Sequence, residues 1–238
     1  MATNTKIEWT ETTWNPVTGC TKISDGCTNC YAYTMAKRLH AMGNVRYKNE
    51  FNVTIHRDLI ERPLTWKRPR MVFVNSMSDL FHEDIGFNTI SEIFDVMREA
   101  SQHTFQILTK RTKRMLELAP YLPWPDNVWQ GVTVEKSKYH YRINDLRKVP
   151  AKVKFISFEP LLGPMPEINL ENIEWAIAGG ESGINARPVD IAWLRQVRDQ
   201  CIQFDVPFFF KQWGGVRKTR ERLLDNESWN QYPLCKSM

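Results

Sequence analysis

Short apolar runs alternating with helix-like stretches set the tightest limit on what this chain can fold into. Met71-Val-Phe-Val-Asn75, Phe105-Gln-Ile-Leu108, Val128-Trp-Gln-Gly-Val-Thr-Val134, Val153-Lys-Phe-Ile-Ser-Phe158 and Ile173-Glu-Trp-Ala-Ile-Ala178 read as buried strands. Between them lie helical patterns. Phe87, Ile90, Ile93, Phe94 and Met97 share one face, with Thr89 and Glu92 spaced for a capping box. A basic helix follows over Thr112–Leu118, a charged one over Lys138–Arg147, and a third over Ile191–Gln203 leads into Val206–Lys211. An early helix over Tyr31–Met42 completes the set.

Strand–helix alternation with continuously apolar strands predicts an α/β fold built on a parallel sheet. With one strand before Cys20 and one ending at Lys211, the count is about six or seven parallel strands. That number suits a complete or partial (β/α) barrel. A doubly wound open sheet is the alternative, but the chain lacks the glycine fingerprint of a dinucleotide-binding sheet. Of 238 residues, 42% are hydrophobic, enough for one substantial core. The expected division is a barrel over 1–215 and a basic tail over 216–238 packing on or near it.

Cys20, Cys27 and Cys30 fall within one short stretch, Cys20-Thr-Lys-Ile-Ser-Asp-Gly-Cys27-Thr-Asn-Cys30. No apolar run reaches the length of a membrane span, and the opening residues lack the form of a signal peptide. A cytoplasmic location is therefore expected, and there clustered thiols indicate a metal or catalysis rather than disulfides. Three cysteines can hold three irons of a cubane and leave one open, the arrangement a reactive cluster needs. Zinc is the competitor; its sharpest form is a Cys₃His site using His40, with His56 the next nearest histidine. Cys201 reads as a small core residue, Cys235 is unassigned, and the lack of a second cysteine cluster argues against an auxiliary cluster.

Polar residues concentrate where the predicted strands end, which is where parallel β/α folds build their sites. Asn75, Ser76, Ser78 and Asp79 follow one strand, with His82 and Glu83 beyond; Thr109, Lys110 and Arg111 follow the next. Then come Thr133 with Glu135, Ser157 with Glu159, Gly179-Gly-Glu-Ser-Gly183 with Arg187, and Lys211 with Gln212 and Trp213. A ring of carboxylates, amides, hydroxyls and cations suits a zwitterionic, nucleoside-like ligand. The net charge of +5 permits a polyanionic partner. Basic residues gather at Arg62–Arg70, at Lys110–Arg114 and from Lys211 to Arg222; such runs are commonly solvated surface. Nine tryptophans offer stacking surface for bases, although core positions are the simpler expectation for them.

The early three-cysteine loop in a β/α barrel resembles the radical S-adenosylmethionine (SAM) superfamily. More closely, the chain resembles a family of phage-encoded and prophage-encoded radical-SAM-like proteins. The matching segments are Thr13-Trp-Asn-Pro-Val-Thr-Gly-Cys20, Cys27-Thr-Asn-Cys30-Tyr31, Ser157-Phe-Glu-Pro-Leu-Leu162, Gly179-Gly-Glu-Ser-Gly183 and Ala186-Arg-Pro188. The resemblance implies that Cys20, Cys27 and Cys30 ligate a [4Fe–4S] cluster, which would cleave SAM to methionine and a 5′-deoxyadenosyl radical. It further implies an external electron donor of flavodoxin or ferredoxin type. The expected substrate is a nucleic-acid base or nucleoside, such as an amino-acid-decorated thymine in phage DNA. A small molecule or peptide substrate is an alternative, as is a non-catalytic iron–sulfur or zinc module that binds nucleic acid or a partner.

Two features depart from the superfamily pattern. The first cysteine gap holds six residues in place of three, and the Gly-Gly-Glu segment follows the sixth strand instead of the second. The amine-binding role is therefore assigned to Asn75–Asp79, while Gly179–Glu181 flanks the adenine or the substrate. The candidate cofactor-binding residues are Asn75, Ser76, Asp79, Thr109, Lys110, Thr133, Glu135 and Glu159. Glu181, Arg187 and Lys211 are the candidate substrate residues, the two cations as anchors for a carboxylate or phosphate.

Overall fold

A computed structural model describes residues 5, 7–216 and 221–233. Seven strands form one sheet: β1 (Thr12–Trp14), β2 (Met71–Val74), β3 (Thr104–Thr109), β4 (Val128–Thr133), β5 (Val153–Phe158), β6 (Trp175–Gly179) and β7 (Phe208–Gln212). Every neighbouring pair is parallel, and the spatial order follows the chain order from β1 to β7. A doubly wound sheet needs a reversal of strand order, and none occurs here. The sheet curls into a half-barrel, so the partial barrel is the architecture.

Crossovers run through α1 (Tyr31–Ala41), α2 (Phe87–Glu99), α3 (Thr112–Leu118), α4 (Tyr141–Arg147) and α5 (Ile191–Gln203). Between β5 and β6 there is no helix among the described residues; Leu161, Met165, Ile168, Leu170 and Ile173 of that loop are buried and cover the sheet instead. The capping box expected at Thr89 and Glu92 does not form. The helix begins earlier, at Phe87 after Gly86, so Thr89 lies inside it and is buried, with its Oγ1 accepting from Arg57 Nη2 at 3.2 Å.

The side-chain period of two divides the strands between two cores. Val72, Val74, Phe105, Ile107, Val128, Val132, Ile156, Phe158, Ala176, Ala178, Phe208 and Phe210 face the helices. The intervening Phe73, Trp129, Phe155, Trp175, Ile177 and Phe209 fill the concave side together with Trp9. Trp9 packs its ring 4.7 Å from Phe73, and Tyr232 lies 5.1 Å from Trp175, so both ends of the described chain stop the base of the half-barrel. Leu224 and Trp229 also join the helix-side core, which fastens residues 221–233 to the barrel. Cys201 is wholly buried, as expected of a core residue, and burial pushes its thiol up to about 12. Cys235 and, of the basic run, Arg217, Lys218 and Arg220 lie outside the described residues.

None of the nine tryptophans is exposed, so as surface stacking platforms they are displaced by their packing role. Among the described residues, no helix is long and apolar enough to cross a membrane. Phe155 sits at the centre of the concave cluster with no exposure. Phe155→Ala should therefore destabilise the fold by about 3–5 kcal/mol, read as a lowered urea midpoint at unchanged slope; a shift under 1 kcal/mol would show that this cluster is not a packed core.

Candidate active site at the mouth of the half-barrel

The strands all end on one side, and the cysteine loop between β1 and α1 lies across those ends. Cys20, Cys27 and Cys30 are half-buried, free of disulfides, and line one cavity of about 220 Å³ with Lys22, Tyr33, Glu50 and Phe51. Among the described residues, no three His, Cys, Asp or Glu side chains stand grouped to hold a single metal ion. A shared cavity wall suits a cubane, because each thiolate meets a different iron and the sulfurs need not converge on one point. The two histidines considered as a fourth zinc ligand are engaged elsewhere: His40 Nδ1 lies 2.9 Å from the Tyr47 carbonyl, and His56 Nε2 lies 2.9 Å from Thr18 Oγ1. Neither lines the cysteine cavity.

A second cavity, of about 180 Å³, opens on the concave side of the sheet. Its floor is apolar, from Trp9, Phe73 and Leu108, and its polar wall includes Lys110, Thr133, Ser157, Glu159, Glu181 and Lys211. Cys30 lines both cavities, so the cysteine loop is the partition between them. Five of the residues assigned from the sequence thus meet here: Lys110, Thr133, Glu159, Glu181 and Lys211. Lys211 Nζ lies 3.0 Å from Glu159 Oε1, and Ser157 Oγ donates to Glu159 Oε2 at 3.2 Å. The Thr133 hydroxyl is buried and has no hydrogen-bond partner.

The other assigned residues stand behind the cavity wall. Asn75 adopts φ 57° where β2 turns, its Oδ1 accepting from Val17 N–H at 3.3 Å while its buried Nδ2 is unpartnered. Ser76 Oγ donates to Asn15 Oδ1 at 3.2 Å, and its carbonyl accepts from the Tyr31 hydroxyl. Thr109 Oγ1 donates to Asp79 Oδ1 at 2.7 Å, and Asp79 Oδ2 accepts from Lys110 N–H at 3.1 Å. Glu135 lies under the cysteine loop, fully buried, where it pairs with Arg142 at 2.7 Å and accepts from the Ser24 hydroxyl. Arg187 forms a two-pronged pair with Glu181 and donates through Nη2 to the Asp25 carbonyl at 3.0 Å.

These contacts hold the loop from several sides. A side chain at Gly26 would place its Cβ 2.5 Å from Glu135 Oε1, so only glycine allows the loop to lie this close to the buried carboxylate. Asp25 bridges Lys136 at 3.0 Å and Lys138 at 2.8 Å, which hold its carboxyl below the usual range. Asn29 Nδ2 donates to Glu181 Oε2 at 2.9 Å and to the Asn185 carbonyl at 2.8 Å. The Gly179–Gly183 turn is itself packed tightly: a Cβ on Gly180 would meet the Trp213 carbonyl oxygen at 2.0 Å.

Charge on the thiols follows from the neighbours. Burial, together with Asp79, pushes the Cys20 thiol up to about 11 against the pull of Arg111. Burial also opposes ionisation of Cys27, but Lys110 and hydrogen bonds from the loop outweigh it and lower that thiol. Burial and Arg111 hold the His82 imidazole below its ordinary value while its Nε2 lies 2.9 Å from Thr21 Oγ1. Ser24, Asn29, Arg111 and Arg142 also hold the site together, and no local sequence pattern marks their pairings. The Lys110–Arg114 run reads as solvated surface, yet Arg111 is buried and Arg114 donates to the Ile85 carbonyl at 2.6 Å. The Arg62–Arg70 group precedes β2 and so stands at the opposite end of the sheet from the cavity.

Burial tends to raise Glu181, but bonds from Arg187 and Asn29 outweigh it and hold the carboxyl below its usual value. Because the folded value is depressed, this clamp stabilises the loop at neutral pH and is lost as pH falls through the folded value. Amide exchange over residues 28–30 and 181–187 should therefore lose protection below about pH 4 while the strands stay protected. Mass-spectrometric hydrogen exchange reads this directly, and simultaneous loss in loop and strands would refute it.

No curated protein and no solved structure matches the chain. The model of one family, described as "Protein of unknown function (DUF5131)", matches residues 4–233. The match spans nearly the whole chain, and the protein belongs to the DUF5131 family.

Proposed function

We propose that the protein is a [4Fe–4S]-dependent radical SAM enzyme acting on a nucleic-acid base. The observation that carries this reading is the partition formed by the cysteine loop. Three thiols share one cavity, and Cys30 also borders the polar cavity at the strand ends. Cys20, Cys27 and Cys30 would hold the cluster, and the strand-end cavity would receive SAM and the reacting part of the substrate. When bound, this pair of cofactors supplies one-electron reduction and a carbon radical able to take a hydrogen atom.

The chain's own residues bind, orient and exclude water. Lys211 and Glu159 present a cation and a carboxylate side by side, which matches an amino-acid-like zwitterion with opposite polarity. Thr133 contributes a free hydroxyl, and Trp9, Phe73 and Leu108 offer an apolar floor for a planar ring. Arg187 is taken up by Glu181 and the loop, so it serves to position the partition, and Lys211 is the better anchor for an anionic group. Lys22, Lys110, Lys136 and Lys138 give the mouth a positive rim suited to a phosphate backbone. An amino-acid-decorated thymine in phage DNA satisfies both the zwitterion pair and the basic rim. Electrons would come from a separate carrier of flavodoxin or ferredoxin type.

Anaerobic reconstitution with iron and sulfide, then reduction with SAM, should yield 5′-deoxyadenosine, increased by the correct DNA or nucleoside. Cys27→Ala should abolish both the cluster absorbance and the product, and Lys211→Met should weaken substrate stimulation at least tenfold with the cluster intact. If the reconstituted wild type never forms 5′-deoxyadenosine, with or without DNA, the radical SAM reading fails.

A further inference from the structure

Arg111 is a buried cation whose whole donor fork is committed to the cysteine loop and to the carboxylates behind it. Its side chain is 3% exposed. Nε donates to Glu83 Oε2 at 2.8 Å. Nη1 donates to Cys20 Sγ at 3.4 Å and to Asp79 Oδ2 at 3.3 Å. Nη2 donates to the Thr21 carbonyl at 3.2 Å and to Thr21 Oγ1 at 2.8 Å. Among the described residues, no other arginine around the mouth hydrogen-bonds a cysteine sulfur. Arg142 and Arg187 reach carboxylates and carbonyls instead.

A guanidinium fixed against a sulfur does two things to any group bound through that sulfur. It donates a hydrogen bond to the ligand atom, and it places a positive charge in surroundings of low dielectric constant, where charges interact strongly. Hydrogen bonds to the sulfurs and net local charge are principal determinants of iron–sulfur reduction potentials. Reduction adds one electron, and the added negative charge is stabilised by a cation that is already in place. The two carboxylates have the opposite influence, but they differ in exposure: Asp79 is 10% exposed and Glu83 60%. Water screens Glu83, so the inner pair of Arg111 and Asp79 dominates at Cys20. Lysine would keep the charge but could not span Glu83, Asp79, Cys20 and Thr21 at once.

Resting on the cluster assignment made above, we propose that Arg111 is a positioning residue that raises the reduction potential of the group held by Cys20 and fixes that thiolate's direction. It does not touch the substrate, because it does not line the strand-end cavity. The carrier feeding this protein would then need less reducing power than the same site without Arg111 would demand.

The test is the midpoint potential of the reconstituted full-length protein, titrated anaerobically by absorbance and electron paramagnetic resonance without SAM. Arg111→Gln should disfavour reduction at least tenfold, a shift of about 59 mV to more negative values for one electron. Arg111→Lys should fall between that variant and wild type. Since Arg111→Gln leaves Asp79 unpaired, the double variant Arg111→Gln with Asp79→Asn checks folding and should still show the loss of the sulfur hydrogen bond as altered cluster signals. Glu83→Gln, which leaves the fork in place, should move the potential the other way. Unchanged potentials in folded, iron-loaded variants would overturn the role of Arg111 alone. A wild type that takes up no iron would overturn the cluster assignment and this inference with it.

Discussion

Three arginine–carboxylate pairs brace the cysteine loop against the ends of the sheet. Arg111 with Asp79, Arg142 with Glu135, and Arg187 with Glu181 come from three different strand ends, and each has at least one member almost wholly buried. Such pairs gain little net stability, because desolvation offsets most of the attraction. Breaking one, however, strands a charge in the interior and costs several kcal/mol, about 3–5. The consequence is a loop with few alternatives in position. Ser24, Asp25, Asn29, Cys20 and Thr21 all bond to members of these pairs, and Gly26 lies against Glu135.

The half-barrel makes this bracing possible. In a sheet whose strands follow one another in chain order, each crossover returns the chain to the same end, so seven successive strand ends converge on one mouth. The curl then turns their side chains toward a shared space, and the aromatic cluster of Trp9, Phe73, Trp129, Phe155, Trp175 and Phe209 closes its base. The loop between β1 and α1 covers the top. Its placement divides the mouth into an outer cavity bearing the thiols and an inner cavity bearing Lys211, Glu159 and Thr133. Cofactor chemistry and substrate recognition would then meet across Cys30.

The architecture was legible because its signals are local. Apolar runs located β2 to β6, and the helices Thr112–Leu118 and Ile191–Gln203 have the bounds that their patterns predict. The crossover between β5 and β6 had no helical period and formed no helix among the described residues. The capping box at Thr89 failed because Gly86 and Phe87 start the helix one turn sooner. The ring of polar strand ends was also readable, but what each member does was not. Ser24 meets Glu135 across 111 positions of chain, and Asn29 meets Glu181 across 152. No local pattern encodes such pairings. Arg111 was hidden for the opposite reason: it lies in the Lys110–Arg114 run, which reads as solvated surface, and Arg142 lies on a charged helix; only the fold reveals that each is buried.

On the proposed reading, Cys20, Cys27 and Cys30 would hold a cluster that leaves one iron free for SAM. Electron paramagnetic resonance of the reduced, reconstituted protein with SAM labelled at its amino nitrogen tests this most directly. The account predicts a reduced-cluster signal that changes on adding SAM and carries a hyperfine coupling to the labelled nitrogen. A cluster signal indifferent to SAM, or a protein that takes up zinc but no iron, would contradict it.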